Sequence, residues 1–530
     1  MTKDTKRPRR IKTDPAEVWA EYEKALMYND AIDLPNRVKN NNNFFIGKQW
    51  EGVKAPDVDK PVFNVFKRVI NYFISMLVSD NIGVSLSLIN RVETDIERVQ
   101  FGIIKDQIAQ SMEINKFSRI SRDVLKNAAI DGDGCVHVYF DPDIETGREG
   151  EEGLIKIEEI DNLNVFFGNP NIHEVQDQPY IIISRRRLVG EVRDELIDQG
   201  REGDAWAVKS DHPQDEEYSQ EHYYDDKVTV LRKYWKEKGR VHFLECTKDV
   251  TIFEDTDSDL KLYPISWMNW ERVKNCYHGF GAVEGLIPNQ IAINKLAAMA
   301  NEFIKQQAFS RVFYDETKLS RWVGGIKPLG VQGNPRDIVF TDPHRTDMSS
   351  QVSEYFVRFM ENTKELMGAS DASLGNISNP DNTSAIIATQ KATSVPLELI
   401  KQEYYQFVED FVRIVIDQMR ARYGKRTVVG KDDNGDSQEV EFDFSILEGW
   451  VISLNVDIGQ AAYWNEMTGI DTLSNLLEAQ LVDPVTFLES IPATHLPYKE
   501  RIVKEFKEKM NAEKAAPAVP EQTAPALEMM

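Results

Sequence analysis

Apolar side chains recur at helical spacing toward both ends of this chain and alternate with polar ones in between. DPAEVWAEYEKALMYNDAI (14–32) opens the first helical stretch. Asp14 is placed as its cap, Pro15 sits at the first helical position, and Val18, Tyr22 and Leu26 share one face. NNNNFFIGKQW follows as a polar run, then aromatics and Gly47. VFNVFKRVINYFISMLV predicts a buried helix over 64–79; it is too short for a membrane span and carries Lys67 and Arg68. Residues 94–130 read as helical.

At AAIDGDGCVHVYFDPD the period changes from helical to alternating. Val136, Val138 and Phe140 alternate with polar neighbours, which predicts a strand. LIKIEEI, NVFFG and YIIISRRRL predict further strands. The densely charged stretch 191–226 predicts a surface excursion. KVTVLRKYWKEKGRVHFLECTKDVTIFEDT predicts a meander that turns at KEKG. Helical spacing returns in QIAINKLAAMANEFIKQQAF, with Ile293, Leu296, Ala300, Phe303 and Ile304 in phase. A Gly/Pro-studded piece, 311–346, precedes a second stripe of Val352, Tyr355, Phe356, Phe359, Thr363 and Leu366 that stops at Gly368.

The loop LGNISNPDNTSA (374–385) comes next, then a helical pattern that runs to Tyr423 before Gly424, with Pro396 inside it. Proline removes a backbone donor and clashes with the preceding turn, so a kink is expected at Pro396. At 1.5 Å per residue such an element spans about 60 Å. KRTVVGKDDNGDSQEVEFDF predicts a hairpin turning at Asn434–Gly435, and VISLNVDI another strand. Residues 461–510 read as helical, and EKAAPAVPEQTAPALEMM as a disordered Ala/Pro/Glu tail.

With 530 residues, 41% hydrophobic and 28% charged, the chain can bury sizeable cores, and its length suggests about three domains. A net charge of −24 argues against broad adhesion to phosphate backbones or anionic lipid. It remains compatible with a DNA path that must stay slippery. Cys135, Cys246 and Cys276 are far apart, which predicts a reduced, intracellular protein without a disulfide framework. The N-terminus is basic but has no apolar region of the kind a signal peptide needs. KRPRR (6–10) reads as a solvated arm, with nucleic-acid contact as the alternative.

Motifs for chemistry are missing or malformed. GFGAVEG (279–285) resembles a phosphate-binding glycine loop with its third glycine one position late, and a strand-to-helix turn is the plainer reading. GGIKPLG has Val331 and Gln332 where a P-loop needs Lys and Ser/Thr. IDGDGCV and KDDNGD tempt a calcium reading, but Cys135 and Ser437 stand at the wrong positions, so both read as tight turns. The eight histidines form no HExxH and no Cys/His cluster. No catalytic residue, metal site or cofactor is expected, and the chain is not expected to be an enzyme.

The order of these segments resembles the bacteriophage portal proteins, the head-to-tail connectors of tailed phages. NNFFIGKQWEG followed by PVFNVFKRVINYFIS resembles the family's early GxQW…N region. NVFFGNP with YIIISRRR is similar to its wing. YPISWMNW…YHGFGAVEGLIPNQIAINKLAAMA resembles the entry to its first stem helix. The resemblance covers residues 35–510 and rests on succession and spacing.

The resemblance implies a mixed α+β, portal-like fold with an α/β wing, a two-helix stem, a small α/β clip, a long kinked helix and a helical C-terminal crown. Its segments would be an N-terminal arm and helix (1–35), wing (36–285), first stem helix (286–310), clip (311–346), second stem helix (347–368), tunnel loop (369–384), kinked helix (385–423), further wing strands (424–460), crown (461–512) and tail (513–530). It also implies a ring, usually of twelve copies, at one capsid vertex. Double-stranded DNA would pass through it, and its partners would be the terminase large subunit, a head-tail adaptor, and the major capsid and scaffolding proteins. No membrane is involved. The location would be the virion, and the host cytoplasm during assembly.

The DNA-facing candidates on and beside the tunnel loop are Ser373, Asn376, Ser378, Asn379, Asn382 and Lys391. Lys391 is the best placed for a phosphate contact. Between Leu366 and Pro396 the only charged side chains are Asp371, Asp381 and Lys391, as suits weak contacts independent of base sequence. The partner-binding candidates in the clip are Arg321, Trp322, Lys327 and Arg336. Competing expectations are another ring-forming virion or tail-interface protein, or, less in keeping with the missing motifs, a packaging enzyme subunit.

Overall fold

A computed structural model describes residues 13–54, 58–78, 82–89, 94–147, 151–211, 227–308, 313–319, 329–334, 350–368, 397–431, 437–458, 472–479, 482–491, 499, 501–503 and 506. The chain mixes helix and sheet throughout. It divides into a large unit, residues 1–428 and 440–458, and a smaller one, residues 429–439 and 459–530. In the smaller unit, residues 472–478 and Pro484–Ser490 are helical.

The large unit opens with α1 (Pro15–Ala31), α2 (Leu34–Ile46) and α3 (Val65–Leu77). Pro15 stands at the start of α1 as expected, although Asp14 makes no side-chain cap bond. The asparagine run, which the sequence pattern assigns to no element, is the body of α2. Asparagine is a poor helix former, and what holds it here is burial of its amides. Asn41 donates to the Ile130 carbonyl at 2.9 Å, and Asn42 to the Asp131 carboxylate at 3.1 Å. The predicted helix over 94–130 is two helices, α4 (Asp95–Ile114) and α5 (Phe117–Asp131), broken where Lys116 adopts a left-handed conformation at φ 54°. Between α3 and α4 runs β1 (Ile82–Leu88).

Strands β2 (Asp133–Glu145), β3 (Glu152–Ile160), β4 (Val165–Phe167) and β5 (Tyr180–Leu188) follow. Two short helices, α6 (Val189–Asp198) and α7 (Glu202–Ala207), occupy part of the charged stretch. That part is not a bare surface excursion, because Val192, Leu196, Ala205 and Val208 close a small core with Val228 and Val230. The meander is β6 (Lys227–Glu237), β7 (Arg240–Cys246) and β8 (Thr251–Leu260), and Lys238 and Gly239 make its first turn with positive φ. Then come β9 (Ile265–Asn269), β10 (Glu271–Val273) and β11 (Cys276–Phe280).

Strands β4 to β8 form one antiparallel sheet in sequence order, and β2 sits between β3 and β9 in another. The five-stranded sheet is buried on both faces. Phe166, Ile182, Leu231 and Trp235 meet Val18, Trp19 and Tyr22 of α1, while Phe167, Ile181, Ile183 and Tyr234 meet Cys135, Ile265 and Tyr277. Double burial explains the unbroken apolar runs of NVFF and YIII. On the α1 side Lys233 is buried and pairs with Glu21 at 2.7 Å.

The largest core surrounds α10 (Glu398–Arg422), numbered after the helices α8 (Ile287–Ala308) and α9 (Ser350–Leu366). Phe407, Phe411 and Val415 of α10 are sealed among α4, α5, β2 and β3; Phe411 stacks on Phe117 with ring centroids 4.3 Å apart. Two polar side chains near its end, Asp417 and Gln418, are buried and matched. Asp417 accepts from the amides of Lys261 and Leu262 at 2.7 and 2.9 Å, and Gln418 donates to the Val138 carbonyl at 2.9 Å. The expected kinked helix over 385–423 is described only as this segment, and Pro396 lies outside the described residues.

After the two short strands β12 (Phe313–Asp315) and β13 (Leu329–Val331), the chain ends its sheets with β14 (Lys425–Lys431), β15 (Ser437–Asp443) and β16 (Ile452–Ile458). β14 and β15 pair with each other, as the predicted hairpin requires, while its turn at Asn434–Gly435 lies outside the described residues; β16 pairs antiparallel with β1 over seven residues.

Phe411→Ala removes the stacked ring at the centre of the core. The expected outcome is a loss of about 3–5 kcal/mol in urea unfolding.

Candidate functional site

The DNA-facing candidates Ser373, Asn376, Ser378, Asn379, Asn382 and Lys391 lie outside the described residues, as do Arg321, Trp322, Lys327 and Arg336. The described residues do define the two helices that flank these segments, and the footing on which the first helix stands.

Polar side chains seat α8. Gln290, Ile293, Asn294, Ala297 and Ala298 make its buried face, at spacings of three and four residues. This face is rotated from the predicted stripe: Ile293 is shared, but Leu296, Ala300 and Phe303 are only partly buried and Ile304 is exposed. Burial here follows hydrogen bonding. The Gln290 amide donates to the Phe63 carbonyl at 2.7 Å and accepts from the Val65 amide at 3.3 Å. Asn294 accepts from the Phe63 amide at 3.2 Å and donates to Gln49, which in turn donates to the Phe44 carbonyl at 2.8 Å. Asn64 donates to the Phe45 carbonyl at 2.8 Å and caps α3 by accepting from Lys67. Trp50 donates to the Pro61 carbonyl at 2.9 Å. Gln49, Trp50 and Asn64 thus shape the loop that grips α8, and farther along the helix Lys305 pairs with Asp59 at 2.6 Å.

Helix α9 packs on α8 and α3. Phe356 meets Phe63 edge-on at 5.7 Å, Phe359, Met360 and Met367 pack against the main core, and the buried Thr363 hydroxyl donates to the Phe359 carbonyl at 2.7 Å. Of the predicted stripe, Phe356, Phe359 and Thr363 face inward, whereas Tyr355 and Leu366 do not. Met299 and Ile304 of α8 and Tyr355, Val357 and Leu366 of α9 are 69, 55, 57, 49 and 68% exposed. In the segment between the helices, β12 and β13 pair in parallel. The Asp315 carboxylate accepts from Thr317 and from the Gly333 amide, bonds that hold it below the usual carboxylate range.

The turn that launches α8 is locked to the turn between α5 and β2, and the two meet through the malformed motifs. The Asp133 carboxylate is buried and takes four donors: the Gly279 amide at 2.7 Å, Asn269 at 2.8 Å, Asn162 at 3.2 Å and His278 Nδ1 at 2.6 Å. With the carboxylate accepting, the His278 ring proton sits on Nδ1. The glycines permit close approach of backbones. A Cβ on Gly132, which has φ +100°, would lie 2.4 Å from the Gly279 oxygen, and one on Gly281 would lie 2.4 Å from the Ile130 oxygen. GFGAVEG is therefore a packing turn matched to IDGDGCV, and neither motif is left open for a phosphate or a cation. Arg37 clasps the same junction, donating to the Gly279 carbonyl at 3.2 Å and lying 3.6 Å from Glu284. Beside it, burial and then the charges of Asp161 and Asp133 push the Asp131 carboxyl up to about 8, despite its bond from Asn42.

Among the described residues no group of His, Cys, Asp and Glu could hold a metal ion, and no helix is long and apolar enough to cross a membrane. The polar footing of α8 was not anticipated, although a Gln290–Asn294 pair four residues apart in an Ala-rich helix is the signal that carries it.

A raised Asp131 pKa means the folded state holds the proton more tightly than the unfolded chain. Stability from this group is intact below pH 4 and declines as pH rises toward 8. Asp131→Asn should therefore gain on the parent chain between pH 5 and pH 8, by about 3–4 kcal/mol. Urea unfolding at the two pH values measures it; an equal difference at both would contradict the assignment. No protein-family model matches the chain, and no curated protein does.

Proposed function

We propose that this chain is a portal protein. About twelve copies form a ring at one capsid vertex, double-stranded DNA is packaged and ejected through its channel, and terminase and head-completion proteins dock on it. The role is structural and not enzymatic. One observation carries the reading. The helices α8 and α9 each bury one face on the same body and each expose large apolar side chains: Met299 and Ile304, and Tyr355, Val357 and Leu366. Lateral packing against neighbouring copies would cover them, and burying one such side chain is worth about 1.5–3 kcal/mol.

Further support comes from the residues of the GKQW…N stretch, the part of the sequence that resembles the family's early region. Gln49 and Asn64 hold the segment that grips the first of the two helices. The chain's charge fits as well. Twelve copies carry roughly −290, which would keep duplex DNA from adhering to the channel and makes assembly salt-dependent. The nearly uncharged 369–384 segment, with Ser373, Asn376, Ser378, Asn379 and Asn382, would line the DNA path, and Lys391 would touch phosphate. Arg321, Trp322, Lys327 and Arg336 would meet terminase or the adaptor.

Negative-stain imaging of the purified protein tests the ring. Particles with a central hole are expected, and persistent monomers at high concentration and salt would contradict it. The double substitution Met299→Glu with Leu366→Glu should leave the circular dichroism spectrum unchanged and abolish rings where the parent chain forms them. Deletion of residues 375–381 should leave rings intact and reduce packaged or retained DNA; normally filled heads would remove the loop from the DNA path.

A further inference from the structure

A second polar cluster lies where β2, β6 and the end of α10 converge. It frames a cavity of about 120 Å³ lined by Tyr139, Arg232, Tyr234, Phe243, Gln418 and Arg422. This is room for about four waters, enough for one carboxylate or phosphate group and too little for a nucleotide.

The proton positions behind the cavity follow from donor chemistry. His137 is fully buried, and its Nδ1 lies 3.0 Å from a terminal nitrogen of Arg185. A guanidinium can only donate, so Nδ1 accepts and the ring proton is on Nε2. Nε2 is 2.9 Å from the Tyr234 hydroxyl and donates to it. Arg232 donates to the same oxygen at 3.5 Å. Both acceptor positions of the Tyr234 oxygen are thus taken, and its own hydrogen finds no acceptor among the described residues. Burial, and then the charges of Arg185 and Arg232, keep the His137 pKa well below its ordinary value, in line with a neutral ring.

The charges leave a surplus of one. Arg185 pairs with Glu158 at 2.6 Å. Arg232 pairs with Glu245 through Nε, and its plane lies over the Phe243 ring at 5.6 Å. Arg422, on the last turn of α10, is exposed and has no ion pair among the described residues. A cavity bounded by a buried hydroxyl with an unused hydrogen, a guanidinium neutralised on one edge and a second that is free has one complementary class of occupant.

We propose that this cavity is a binding site for a small oxyanion, a carboxylate or phosphate group, held by the Tyr234 hydroxyl and the guanidiniums of Arg232 and Arg422. The site is independent of the portal reading, since none of its residues belongs to α8, α9 or the segments beside them.

Calorimetric titration of the full chain with inorganic phosphate and with acetate, at constant ionic strength, tests it. One saturable site per chain is expected, with a dissociation constant on the order of 1 mM for the better anion. Tighter phosphate binding assigns a phosphoryl ligand, and tighter acetate binding a carboxylate. Tyr234→Phe and Arg422→Gln should each weaken binding about tenfold or more, the worth of one hydrogen bond to a charged group. Arg413→Gln, on the same helix but outside the cavity, should leave it unchanged. Absence of saturable binding to both anions overturns the proposal. So does binding by the Tyr234 and Arg422 variants equal to that of the parent. If Tyr234→Phe fails to fold, the surface variant Arg422→Gln decides alone.

Discussion

Asp133 is the fixed point of the large unit. Its carboxylate satisfies donors from β9, β11 and the segment after β3, while its backbone starts β2 beside the left-handed Gly132. A buried carboxylate left unmatched costs several kcal/mol, so all four donors must arrive together. That requirement sets the register of the three-stranded sheet against β11, and β11 leads into the turn that launches α8. The start of α8 is thus placed by an electrostatic demand within the sheet core.

Much of the fold was legible because its signals are local. The strands around Val136, the YIII run, the meander and the helices starting near Pro288 and ending at Gly368 all stand where their periods put them. What was not legible depended on distant partners. The asparagine run is helical because Ile130 and Asp131 receive its amides, 89 residues away. β1 is absent from the sequence-based assignment although Val84, Leu86 and Leu88 alternate with Ser85 and Ser87; its strand partner β16 begins far away, at Ile452. The buried face of α8 was misassigned because periodicity counts apolar residues, whereas Gln290 and Asn294 are buried by their hydrogen bonds. GFGAVEG and IDGDGCV were rightly read as turns, but their pairing with each other could not be seen from either one.

The exposed apolar side chains on α8 and α9 stand out on a chain of net charge −24. Like charge keeps copies apart at long range, and apolar contact acts only when faces meet. In the proposed ring, the balance between the two would make the threshold of assembly move with salt.

The stacking of Phe411 on Phe117 has a consequence for synthesis. Helices α4 and α5 and strand β2 complete their shared core only when α10 is available, and the contacts that close it span 294 residues for the stacked rings and 280 for Gln418 with Val138. At typical elongation rates of about 5–20 residues per second, the earlier half of the core waits on the order of 15–60 s for its lid. Through that interval Phe117 lacks its stacking partner and the side of this core that α10 covers stays open. Closure of this core is therefore paced by translation more than by local helix formation.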